Sequence, residues 1–175
     1  MKSDIRRIAR LSLLLALATM IHTLESTIPI SFLWFRFGFA NIIGLAALYL
    51  FGFRDALLIT IGRIFLGSLA TGLFASPAFL LSLSGGTSAI IAMGLAHKLS
   101  KEALSEIGIS LIGAVTHNSV QLLVAYALLV RNESVLLLLP IMLAAALGTG
   151  LLNGIAARFF VSGFGKALQP AMKSA

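Results

Sequence analysis

The chain has 175 residues, 59% of them hydrophobic and only 11% charged, with a mean hydropathy of +1.03. About a quarter of the residues in a soluble domain are charged, so an ordinary water-soluble enzyme is excluded; the length leaves room for about six spans of ~20 residues and no separate catalytic domain. Thirteen Lys and Arg against six Asp and Glu give a net charge of +7, which on so apolar a chain points to topology signals and membrane lipids rather than nucleic acid.

An all-α, polytopic integral membrane protein of one domain is expected, with helices at about 5–24, 37–52, 55–74, 78–97, 106–130 and 135–161. Lys2, Arg6, Arg7 and Arg10 precede the first apolar run, Leu11 to Ile21. His22, Glu25 and Pro29 follow it, rather than the small-residue processing site of a cleaved leader, so the run reads as a retained span. The connection from Glu25 to Arg36 carries Pro29, Trp34 and two Phe and is expected in the interface or folded back. A tight turn is expected at Gly52-Phe53-Arg54-Asp55.

With the N-terminus inside, Lys2, Arg6, Arg7, Arg10, Arg54, Lys98, Lys101, Arg158, Lys166 and Lys173 all fall on the inner side. The outer side receives only Arg36 and Arg131, and Arg63 is left within a helix. Basic residues near helix ends mark the cytoplasmic face, so both termini are expected there, in a multi-pass protein of the cell membrane. Small residues recur at packing intervals: Ser12 with Ala16, Ser88 with Ala92 and Ala96, and Ala146 with Gly150 and Gly154. Such spacing serves close packing within one bundle or the docking of a partner helix. No internal repeat is evident.

An ionisable or strongly polar group at membrane depth is costly and faces a partner, water or a ligand. Arg63 in the third helix and His117, Asn118 and Gln121 in the fifth are of this kind. His117 and Gln121 share a face one turn apart; they bind a polar ligand or lock the bundle by bonding neighbouring carbonyls. Arg63 needs an acceptor or snorkels to the inner surface. Nearer the outer surface, Arg36 and Asn41 stand about a turn and a half apart at the mouth of the bundle. Glu25 is expected to pair with Arg36, and Asn153 to serve packing near the cytoplasmic end of the sixth helix. The stretch Ser76 to Gly86, with Pro77 and the pair Gly85-Gly86, reads either as a broken or late-starting helix offering free amides to an anion or as a plain turn before a close-packed helix.

The chemistry that these residues exclude is broad. The acidic residues Asp4, Glu25, Asp55, Glu102, Glu106 and Glu133 fall in loops or near helix ends, so no aspartate-rich magnesium site forms. His22, His97 and His117 lie on different segments without metal-ligand spacing, and no phosphate-binding Gly-rich loop is present. With no Cys, disulfides and thiolate sites are excluded as well. No cofactor and no catalytic residue is expected.

Three ordered motifs carry a resemblance: Arg36-Phe37-Gly38-Phe39-Ala40-Asn41, the Arg63 helix running into Ser76 to Gly86, and Gly113-Ala114-Val115-Thr116-His117-Asn118-Ser119-Val120-Gln121. Together they resemble the Gx transporter family, also labelled heptaprenyl diphosphate synthase component I, over nearly the whole chain. That family is similar to the substrate-binding S components of energy-coupling factor transporters, six-helix bundles that take up a vitamin-like solute and dock on a coupling subunit with two ATPases. The resemblance implies Ser12 and Ala16 as a docking pair, in an imperfect counterpart of the usual alanines. The synthase label implies another partner, a prenyl diphosphate synthase of quinone-tail synthesis, for which this chain lacks the catalytic motifs.

The expectation is thus a membrane subunit that binds a small anionic, partly polar or isoprenoid-related substrate through Arg36, Asn41, Arg63, His117, Asn118 and Gln121. The alternatives are a noncatalytic membrane component beside a prenyl synthase, or a purely structural subunit.

Overall fold

The computed structural model describes residues 2–27, 38–101 and 103–173. They form α1 (Lys2–Thr27), α2 (Ala40–Phe51), α3 (Phe53–Ala70), α4 (Pro77–Ser100), α5 (Glu106–Val124) and α6 (Leu139–Lys173), with no strand among the described residues. A π-helical turn, Ala125–Val130, prolongs α5, and a 3-10 segment, Glu133–Leu138, leads into α6.

Four segments are long and apolar enough to cross a membrane: Ile5–Ser26, Pro77–Ser100, Glu106–Val130 and Glu133–Gly165. The other two helices are less regular as spans. α2 has only 12 residues, about 18 Å of helix. α3 has 18 residues but carries Arg54, Asp55 and Arg63. The protein is an all-helical membrane protein on this evidence of length and apolarity.

Several boundaries differ from the sequence expectation. α1 takes in the basic residues from Lys2 onward, because Lys and Arg are good helix formers and interrupt no backbone bond. α2 begins at Ala40 rather than 37, after a turn at Gly38 with φ of 69°. α3 ends at Ala70 rather than 74, where Thr71 and Gly72 close the last turn. α6 runs to Lys173, well past 161, since Gly163 and Gly165 each cost only about 1 kcal/mol in a helix and do not stop one.

A turn at Gly52 and close packing at Gly85 and Gly86 explain three of the glycines. Gly52, with φ of 90°, makes the one-residue joint between α2 and α3 and donates its amide to the carbonyls of Ala47 and Leu48. α4 is unbroken through Gly85 and Gly86, so the broken-helix expectation fails there. Ser76 caps it by accepting from the Phe79 amide, and Pro77 begins it. A Cβ on Gly85 would stand 2.8 Å from the Gln121 side chain, and one on Gly86 2.8 Å from Ile64. These glycines let α5 and α3 approach α4, which satisfies the chain's need for van der Waals contact in lipid.

The neighbours along each helix fix the directions. Arg7 meets Asp55, Leu15 faces Gly62 and His22 faces Gly67, so α1 and α3 run parallel. Asn41 meets Arg63 and Gly44 faces Thr60, so α2 runs back against α3. α5 and α6 are antiparallel, with Gly150 on Ala114 and Gly154 on Ile107. The small residues of α6 therefore serve packing within the bundle, and Ala146 beside them is buried. The core is shared by all six helices, through Leu14, Ile43, Ile59, Ile90, Ile109 and Ala157 among others.

Candidate functional site

The site grows from the entry into α2. The carboxylate of Glu25, near the end of α1, accepts hydrogen bonds from the Phe39 amide at 2.7 Å and the Ala40 amide at 3.5 Å. It thus places a negative charge at the amide end of a helix, where the dipole favours it. Gly38 accepts from the Asn41 amide at 2.8 Å and from Nδ2 of Asn153 at 3.1 Å. A Cβ on Gly38 would lie 2.9 Å from Nδ2 of Asn41 and push that carboxamide out of place.

Asn41 is held for a purpose visible across the helix pair. Arg63 on α3 donates from its Nη2 to Oδ1 of Asn41 at 2.5 Å, and only 4% of Arg63 is exposed. Ten residues from the start of α3, it stands about 15 Å along that 18-residue helix. His22 is buried against Gly67, and Ser82 on α4 is buried as well. His117 packs on Gly85.

Arg63, Asn41, His22, Glu25, Gly38, Ser82, and His117 line one small cavity with Ile64. Its volume is about 20 Å³, room for about one water. The site is a permanent cation surrounded by imidazole, hydroxyl and amide groups and one carboxylate, in a bundle interior where an unpaired polar group is costly. Such an arrangement can bind an anionic or hydrogen-bonding group. Beyond it, the rings of Phe65, Phe74 and Phe79 meet in tilted and edge-to-face contacts, with centroids 5.0 to 6.0 Å apart, about the α3–α4 connection.

The sequence candidates separate into groups. Arg63, Asn41 and His117 come together at the cavity. Asn118 and Gln121 are buried but bind backbone: Asn118 donates to the Met142 carbonyl at 2.9 Å, Gln121 to the Leu81 carbonyl at 3.4 Å. Gln121 also lines an apolar cavity of about 210 Å³ between α4, α6 and the π-helical turn. Arg36, and with it the expected Glu25–Arg36 pair, lies outside the described residues. Ser12 and Ala16 are exposed on α1.

His22, Glu25, Gly38 and Ser82, which line the cavity, and Asn153, which supports it through Gly38, are not among the sequence candidates for the site. Asn153 is not a packing residue at a helix end; it reaches Gly38 across 115 positions of sequence, a contact that no local pattern announces. Glu25 serves the α2 amides and the cavity, and its spacing of three from His22 on α1 was the available signal.

Comparison with known proteins adds one result. Residues 14–160 match the family model described as heptaprenyl diphosphate synthase component I. No curated protein and no solved structure matches the chain. The match spans most of the sequence, including every helix that contributes to the cavity, and the chain belongs to the heptaprenyl diphosphate synthase component I family.

Proposed function

We propose that the chain is the membrane-embedded, substrate-binding subunit of a transporter of the energy-coupling factor type. It crosses the membrane six times with both termini at the cytoplasmic face, and it binds a small anionic, partly polar or isoprenoid-related solute. The observation that carries this reading is the buried Arg63, joined to Asn41 and facing the same cavity as His22 and His117. A bundle needing only rigidity has no use for a guanidinium there, because apolar packing does the same work without desolvating a charge.

In this reading Arg63 neutralises the solute's charge, while Asn41 and His117 orient it by hydrogen bonding. Asn118 and Gln121 hold α5 to α6 and α4 behind it. The cavity takes only about one water as it stands, so entry requires α2 to move away from α3. Its short length and the single Gly52 joint favour that motion. Ser12 and Ala16, on the exposed face of α1, dock a coupling subunit that carries the ATPases.

A second reading is favoured by the family's name, which points to a prenyl diphosphate synthase as partner. There the chain is a noncatalytic membrane component, and Arg63 is structural. Native mass spectrometry of the protein, gently solubilised from its own host, separates the two. A retained anionic small molecule together with ATPases and a coupling subunit, the ligand being lost in Arg63→Met, supports the transporter. A prenyl synthase partner with an empty cavity overturns it in favour of the second reading.

A further inference from the structure

A larger cavity, of about 910 Å³, lies at the other end of the bundle, where α1 begins. It opens between the first turns of α1, the Gly52 joint with the start of α3, and the last turns of α4. We propose that this groove binds an anionic, phosphate-headed lipid of the surrounding bilayer. Its phosphate lies against Arg54 and Lys98, and a hydrocarbon chain runs along Phe53, Ile91 and Leu95. The inference is independent of what the central cavity takes up.

Charge supplies the first argument. Three cations line the groove, Arg7, Arg54 and Lys98, against the single carboxylate of Asp55. Arg7 is engaged: its Nη2 donates to both carboxylate oxygens of Asp55, at 2.7 and 2.8 Å. Asp55 is 4% exposed at the side chain, so this pair is part of the wall. Arg54 and Lys98 are exposed and make no ion pair among the described residues. They are left to face an anion. A basic pocket between helices at the cytoplasmic end of a bundle is a recognised setting for acidic lipid headgroups.

Unmet hydrogen bonding supplies the second. The Nδ1 atom of His97, which lines the groove, is buried without a hydrogen-bond partner among the described residues. The hydroxyl of Tyr49, whose ring lies 4.5 Å from that of His97, centroid to centroid, is also without one among the described residues but stands outside the groove's lining, so the unmet group of the groove is His97. Buried polar atoms are nearly always paired, and the oxygens and hydroxyls of a phosphoglycerol headgroup offer both acceptors and donors.

Shape supplies the third. Phe53 fills the space left by Gly94 and forms an apolar floor. Ile91 and Leu95 are 40% and 56% exposed, so the groove opens sideways toward the hydrocarbon layer rather than only toward water. Its volume is that of a pocket for a sizeable organic ligand. Free phosphate would leave this apolar wall uncovered, and a diphosphate would bring more negative charge than two available cations match.

The test uses the full chain, delipidated in neutral detergent and titrated separately with phosphatidylglycerol, phosphatidylcholine and farnesyl diphosphate under native mass spectrometry. Phosphatidylglycerol is expected to bind in preference to phosphatidylcholine. Arg54→Gln with Lys98→Gln should reduce that preference by about fivefold per cation removed. Lys101→Gln with Arg158→Gln, at exposed positions outside the groove, should leave it intact; unchanged circular dichroism confirms that both variants fold. The proposal is overturned by an unaltered preference in the groove variant, by an equal loss in the control variant, or by farnesyl diphosphate outcompeting phosphatidylglycerol.

Discussion

Arg63 and Asn41 form a side-chain hydrogen bond that ties α3 to α2, with Arg63 buried inside the bundle. The two residues are not equivalent for stability. A buried guanidinium cannot discard its proton, so whatever accepts from it determines whether the bundle tolerates it.

Asn41→Ala should therefore destabilise the protein by about 1.5–3 kcal/mol, the range for losing a hydrogen bond to a charged group. Arg63→Met, which removes the charge and keeps most of the volume, should cost less than Asn41→Ala. Thermal unfolding in detergent, followed by helical circular dichroism, gives the comparison. A larger loss in Arg63→Met would mean that the cation itself holds the bundle together.

Gly67 and His22 make a second pair with a calculable dependence. A Cβ on Gly67 runs into the His22 imidazole, and overpacking of this kind costs about 1–3 kcal/mol. Gly67→Ala alone should lower the melting temperature, and His22→Ala in the same chain should restore part of the loss. The two effects should be non-additive by about 0.5 kcal/mol or more; strict additivity in the double-mutant cycle would show that the helices separate without regard to the ring.

Topology can be read with unusual cleanliness because the chain contains no cysteine. Ser134→Cys and Lys101→Cys place single thiols at exposed positions before α6 and after α4. With six spans and cytoplasmic termini, an impermeant maleimide added to intact cells should modify the first and spare the second. Inverted membrane vesicles should reverse the pattern. Labelling of both sites from the same side would remove the six-span arrangement.

Much of this architecture is legible before any coordinates. Apolar runs give the helices, and Arg63 and His117 stand out because ionisable groups are expensive in lipid. What the sequence conceals is pairing at long range. Glu25 lies on α1, and its carboxylate accepts from the Phe39 and Ala40 amides that open α2, fourteen and fifteen positions further along the chain. Asn153 lies in an apolar helix among glycines, and only the crossing of α6 over the Gly38 turn gives it a role. Asn118 and Gln121 illustrate the opposite difficulty: polarity marks them, but it does not say whether a ligand or a carbonyl satisfies them. The length of α6 is concealed for a local reason, since glycines weaken a helix without ending it.

That length has a geometric consequence. Thirty-five residues of continuous helix extend about 52 Å, while the hydrocarbon layer is ~30 Å thick. Even at a tilt of about 40°, the upper end of what spanning helices adopt, the layer accommodates only about 26 residues. At least two turns of α6 must therefore stand in the headgroup region or in water, as a helical extension beyond the apolar layer.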